Sequence, residues 1–160
     1  MDSNALLLFH VGVSVIAIVT GFIAVYGLLT ANRMGGLTAL FLATTAATSL
    51  TGFLFHRPHI LPSQIVGIVA LVVLVATVLA LYTFRLRGGW RVVYVVGMTL
   101  SLYFNVFVLV AQAFLKIGSL HALAPNGSEP PFAIAQGVVL LAFVVIGVMA
   151  TRRFRVVSGP

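Results

Sequence analysis

Residues 62–84 read PSQIVGIVALVVLVATVLALYTF and contain no charged side chain. A helix rises 1.5 Å per residue, so this stretch is long enough to cross the roughly 30 Å hydrocarbon layer of a bilayer. The whole chain agrees, since 61% of it is hydrophobic and only 7% is charged. A soluble domain is usually about a quarter charged. These values exclude a water-soluble fold.

Four further apolar runs of similar length occupy residues 5–30, 37–56, 90–115 and 132–151. With 62–84 they predict an all-α bundle of five membrane-spanning helices, in which residues 1–160 form one transmembrane domain. The run 37–56 is the least hydropathic because it contains Thr44, Thr45, Thr48, Ser49 and Thr51. Their hydroxyls can bond to helix carbonyl oxygens. A four-span arrangement with this segment re-entrant is the alternative.

The basic residues predict the orientation. With the N-terminus outside, seven of the nine Lys and Arg residues fall on the cytoplasmic side, as the positive-inside rule expects. The net charge of +7 would favour nucleic acid in a soluble protein, but these residues sit between apolar runs. No basic stretch is interleaved with aromatics over a polar face, so nucleic-acid binding is not supported. The lipid bilayer is the first partner, and a bacterial inner membrane is the simplest location.

Polar residues follow one face of several spans. Small and polar positions recur at helical spacing on the first, second and fourth spans, which predicts that these faces look inward. One interpretation is helix packing, because small residues allow close approach and hydroxyls bond across the interface. The positions are His10, Ser14, Ala17 and Gly21; Thr45, Ser49, Gly52 and His56; and Tyr94, Gly97, Ser101, Asn105, Val108 and Gln112.

All four histidines fall in the predicted outer third of the protein, which allows three ligand interpretations. His10 and His56, on adjacent spans, could ligate a b-type haem. His56 and His59, three residues apart and joined by His121 from the outer loop, could hold a metal such as Cu or Zn. A quinone between the helices is the third, with His10 or neighbouring amides donating to its carbonyl oxygens. These amides are Asn105, Gln112 and Gln136.

The outer loop 116–131 carries its own pattern. Residues 116–124 are amphipathic enough to lie at the membrane interface. Ser128, before Glu129 and two prolines, resembles a helix start. Because charged residues occur only near the ends of the spans, ion-driven transport through buried carboxylates is disfavoured. The sequence lacks hydrolase, zinc-protease and phosphate-loop motifs.

Two segments carry a family resemblance. Residues 53–74 read FLFHRPHILPSQIVGIVALVVL, and residues 102–136 read LYFNVFVLVAQAFLKIGSLHALAPNGSEPPFAIAQ. They resemble small bacterial membrane proteins of a family of unknown function. The resemblance implies an inner-membrane location and brings no activity or ligand with it.

Two functional hypotheses follow. The first is a non-enzymatic membrane subunit or interaction protein, which packs with further copies or with a larger membrane complex through its small and hydroxyl faces. The second is a redox or ligand-binding protein that holds haem b, a metal or a quinone near the outer face.

Overall fold

The computed structural model describes residues 3–54 and 62–155, with the backbone alone for residues 3 and 62–64. Within these ranges the chain forms six α-helices and no strand. Helix α3 continues directly into a π-helical turn, Leu79–Thr83. The helices are α1 (Ser3–Leu29), α2 (Gly35–Phe53), α3 (Pro62–Val78), α4 (Trp90–Lys116), α5 (Gly118–His121) and α6 (Pro130–Arg153).

Five of these helices are long and apolar enough to cross a membrane. The prediction of an all-α bundle with five long apolar helices is therefore confirmed. The helix bounds differ from the predicted ones by three residues or fewer when the π-helical turn Leu79–Thr83 is counted with α3. Helix α2 is continuous rather than re-entrant. Its hydroxyls bond to its own backbone, since Thr44 and Thr51 each donate at 2.7 Å to the carbonyl oxygen four residues earlier. This removes the polar cost that made α2 the weakest predicted span.

The helix ends define two ends of the bundle. At the basic end α1 stops, α2 starts, α3 stops, α4 starts and α6 stops. At the loop end α1 starts, α4 stops, and α5 and the start of α6 follow. The basic end carries the arginines that predict the cytoplasmic side: Arg33, Arg85, Arg87, Arg91, Arg152, Arg153 and Arg155.

Helices α1 and α2 form an antiparallel hairpin. Residues later in α1 contact residues earlier in α2: His10 meets Thr51 near the loop end, and Gly21 meets Phe41 further toward the basic end. A Cβ atom on Gly21 would lie 2.7 Å from the Phe41 ring, so glycine is what allows this approach. Helix α4 packs against α1, α3 and α6 and holds the bundle together.

The apolar core lies in the half of the bundle nearer the basic end. At 1.5 Å per residue, its members lie within about 18 Å of the helix termini at that end. The loop half has a smaller contact, in which the rings of Phe114 and Phe132 meet edge to face at 5.4 Å. The core consists of Ala24, Val25, Leu28, Phe41, Leu42, Leu74, Ala80, Leu81, Leu86, Tyr94, Val95, Met98, Leu102, Phe143, Ala150 and Phe154.

The turn before α6 differs from the predicted one. Helix α6 starts at Pro130 with Glu129 as its N-cap, so the expected start at Ser128 is one residue early. The Glu129 carboxylate accepts hydrogen bonds from the backbone N–H groups of Asn126 and Ser128, each at 3.0 Å. These bonds hold the pKa of Glu129 below its ordinary value. The acidic side chain thus closes the turn before α6.

Candidate functional site

The face of α4 that was predicted to point inward is buried near the basic end and exposed near the loop end. Tyr94, Gly97 and Ser101 are buried and Asn105 is partly buried, as expected. Gln112 is exposed, so its predicted inward position is wrong. The helical spacing is correct, but the bundle packs less tightly at the loop end and leaves this part of the face uncovered. Helix periodicity predicts which residues share a face and not how much of that face is covered.

His10 is part of the contact between α1 and α2. Its Nδ1 atom lies 2.8 Å from the hydroxyl oxygen of Thr51. The Thr51 hydroxyl also donates to the carbonyl oxygen of Ala47 at 2.7 Å, and both bonds form together when the His10 Nδ1 atom carries the ring proton. Ser14 extends the contact, since its hydroxyl donates to the His10 carbonyl oxygen at 2.7 Å and lies 3.4 Å from the Thr48 hydroxyl.

Asn105 and Gln136 also serve contacts between helices. The Asn105 amide donates to the hydroxyl of Thr45 in α2 and to the Ser101 carbonyl oxygen, both at 3.1 Å. The Gln136 amide donates at 3.0 Å to the carbonyl oxygen of Phe107 in α4. These amides were predicted as ligand-binding groups, and the structure places both in hydrogen bonds within the bundle.

Two of the remaining candidates lie on the surface of the bundle. Gln112 and His121 are exposed, in α4 and in α5 respectively. His56 and His59 lie outside the described residues, so the proposed haem pair and the metal set are not placed. Among the residues that are described, no group of three His, Cys, Asp or Glu side chains could hold a metal ion.

Two buried polar atoms make no hydrogen bond within the described residues, the Ser101 hydroxyl and Oε1 of Gln136, whereas the buried Tyr94 hydroxyl faces Thr38. Tyr94 and Ser101 are fully buried on α4. Tyr94 lies four residues before Met98 and Ser101 directly precedes Leu102, and both of these neighbours belong to the apolar core. A polar group without a partner costs free energy in an apolar interior, where bonded neighbours would stabilise it. The Ser101 hydroxyl and Oε1 of Gln136 therefore lower the stability of the bundle.

The basic end contains features that the sequence does not predict. A cavity of about 540 Å³ is lined by Arg85, Arg87 and Trp90, with Thr83 and Phe84. Arg85 and Leu86 have φ angles of 48° and 60°, an uncommon conformation for residues other than glycine. The adjacent Phe84 and Trp90 rings stack with centroids 3.8 Å apart. The Gly88-Gly89 pair marked a turn here, but no sequence signal indicated its left-handed backbone.

Arg91 also has a role beyond orientation. Its guanidinium donates to the carbonyl oxygens of Thr151, at 2.9 Å, and of Phe154. The Phe154 ring packs near the Tyr94 ring with centroids 5.8 Å apart. A cation at the C-terminal end of a helix is favourable because the carbonyl groups there carry partial negative charge. Arg91 thereby joins the start of α4 to the end of α6.

Comparisons with protein-family profiles, with curated proteins and with solved structures found no match for this chain.

Proposed function

We propose that this protein is a multi-pass protein of the bacterial inner membrane, with its N-terminus outside. We further propose that it acts as a non-enzymatic subunit that binds a membrane-embedded partner at its loop end. The partner is another copy of this chain or a member of a larger membrane complex.

The use of the polar side chains supports a role in packing. His10, Ser14, Asn105 and Gln136 bond to neighbouring helices or to helix carbonyl oxygens. Hydroxyl and amide groups act this way in membrane bundles, where they link helices that have little hydrophobic reason to associate. Three of these residues, His10, Asn105 and Gln136, were also predicted as cofactor-binding groups.

The exposed position of Gln112 is the main support for a partner. It is exposed, it lies one turn before the end of α4, and its amide bonds to no other described residue. A primary amide that faces hydrocarbon is unfavourable, and a bond to a second membrane helix relieves that cost. Ser49 on α2 is only partly buried and has no described bond either. The loop end therefore offers polar groups that a partner helix can satisfy.

Photocrosslinking in native membranes tests this proposal. A photoreactive amino acid replaces Gln112 in the full chain, and the matched control replaces Ile134. Ile134 is 65% exposed on α6 and lies at a similar distance from the loop end. We expect a discrete protein adduct from position 112 and lipid adducts from position 134. Lipid adducts alone from both positions would mean that Gln112 reaches the headgroups, which contradicts the proposal.

The hydrogen bond of His10 favours a second candidate, a haem, quinone or metal site near the outer face. Ligand histidines usually donate one ring N–H to a fixed acceptor, which orients the other nitrogen, and Thr51 provides such an acceptor. The visible spectrum of protein purified after haem-replete expression tests the haem form, and metal analysis tests the metal form. A Soret band that is lost in His10→Ala and kept in His121→Ala would favour this candidate over the subunit.

A further inference from the structure

A groove of about 370 Å³ runs between α4 and α6 on the outside of the bundle. Its walls are apolar, formed by Val96 and Leu100 from α4 and by Leu140 and Val148 from α6. Gly147 lines the floor, where a Cβ atom would be 3.5 Å from the methyl group of Thr99. Arg152 lines the groove at the basic end. The groove is thus apolar along its length and cationic at its mouth.

The length of the groove matches one leaflet of a bilayer. From Leu140 to Arg152 the axis of α6 rises about 18 Å, at 1.5 Å per residue. One leaflet contributes about 15 Å of hydrocarbon. The groove therefore begins near the bilayer midplane and opens at the headgroup level of the leaflet on the basic side.

The charge at the mouth has no counterion in the described chain. Glu129 is the acidic side chain among the described residues, and it lies at the opposite end of the bundle. Two carbonyl groups at the end of α6, those of Thr151 and Phe154, already accept hydrogen bonds from Arg91. Arg152 is exposed. The cationic group is therefore available to an anion from outside the chain, and the membrane surface supplies phosphate at that depth.

We propose that the groove between α4 and α6 binds one anionic glycerophospholipid of the leaflet at the basic end. An acyl chain lies against the apolar walls, and the phosphate group lies beside Arg152. This site is separate from the loop end and does not depend on a partner there. An anionic lipid is the occupant that meets both the apolar walls and the charge, whereas a hydrophobic helix would leave the charge unmatched.

Native mass spectrometry of the full chain in mild detergent tests the proposal. The probes are phosphatidylglycerol and phosphatidylcholine with identical acyl chains. We expect preferential retention of one phosphatidylglycerol per chain. Arg152→Gln should lower that retention about fivefold, the factor equivalent to ~1 kcal/mol for one arginine near an anionic surface. Arg155→Gln removes the same charge three residues away, outside the groove, and should have little effect.

Variants of Gly147 test whether the acyl chain occupies the groove. Gly147→Leu should reduce retention of both lipids, because its side chain fills the floor. Gly147→Ala, whose added methyl group makes only an ordinary contact, should retain both and shows that the helix tolerates substitution. Equal losses in Arg152→Gln and Arg155→Gln would reveal unspecific charge attraction and overturn the proposal.

Two further outcomes would also overturn it. Glycerol phosphate, which has the headgroup charge without chains, should not displace the bound lipid; full displacement would show an anion site alone. If Gly147→Leu converts a dimer into a monomer while lipid retention is unchanged, the groove is instead an interface between two copies of this chain.

Discussion

The Nδ1 atom of His10 lies 2.8 Å from the hydroxyl oxygen of Thr51 and joins the first membrane helix to the second near the loop end. His10 was predicted as a ligand of a cofactor, and Thr51 was one of the hydroxyl residues that lower the hydropathy of the second span. Together they form a hydrogen bond between helices. His10 therefore has a structural role in this bundle, because it links α1 to α2.

Removing the acceptor should destabilise the bundle. Thr51→Val removes the hydroxyl that bonds to His10 Nδ1, and we expect the free energy of unfolding to fall by ~1 kcal/mol, measured by denaturation in mixed micelles. Thr44→Val is the matched control, because the Thr44 hydroxyl donates to carbonyl oxygens of its own helix. Equal losses in the two variants would show that the bond to His10 contributes nothing.

Gly97 should tolerate no larger side chain. A Cβ atom there would lie 2.0 Å from Oγ1 and 3.1 Å from Cβ of Thr77, so Gly97→Ala must displace the Thr77 side chain or move α3 away from α4. We expect a loss of about 1–3 kcal/mol in the free energy of unfolding. Gly12→Ala, where the added atom meets nothing within 4 Å, should be neutral or slightly stabilising. Adding Thr77→Ala to Gly97→Ala should recover part of the loss; no recovery would refute the proposed clash.

Ala31 occupies a position that suits glycine. It has a φ of 55° just after α1, and the next N–H group, that of Asn32, returns to the Gly27 carbonyl oxygen at 2.8 Å. This is a Schellman-type helix end, in which glycine avoids the left-handed cost. Ala31→Gly should raise the melting temperature by the equivalent of ~1 kcal/mol. Ala43→Gly, inside α2, should lower it, and the same sign in both variants would contradict this backbone conformation.

The turn before α6 should loosen in acid. Hydrogen bonds from Asn126 and then Ser128 depress the pKa of Glu129, so its contribution to the turn is complete above the ordinary glutamate pKa. That contribution is lost as the pH falls through the lower, folded value. Hydrogen exchange should show the Asn126 and Ser128 amides losing protection over that range, and Glu129→Gln should abolish the pH dependence. The Leu123 amide, bonded to the Leu120 carbonyl oxygen, should not respond. A parallel response there would indicate general unfolding.

The spans were predictable because hydropathy and length decide them. The same rule holds for α2, because its threonines bond to carbonyl oxygens of the preceding turn. Burial along each span was less predictable. Gln112 shares a helical face with Ser101, yet the first is exposed and the second fully buried. The difference arises from how closely the neighbouring helices approach, which depends on residues on three other elements.

The basic end was predictable only as a charge pattern. Arg91 and Arg152 both indicate topology in the sequence, but the first bonds to carbonyl oxygens of α6 and the second lines a groove. The left-handed conformations of Arg85 and Leu86 had no sequence signal, because neither residue type favours them. Such features depend on tertiary packing.

The sharpest test of a partner at the loop end is the composition of the assembly extracted from native membranes. The chain should purify in a fixed ratio with a membrane partner or with further copies of itself. Gln112→Trp should reduce that association, and Ile134→Trp, at a similar depth on α6, should leave it intact. A solitary chain that carries a chromophore lost in His10→Ala would contradict the account and establish a ligand-binding protein.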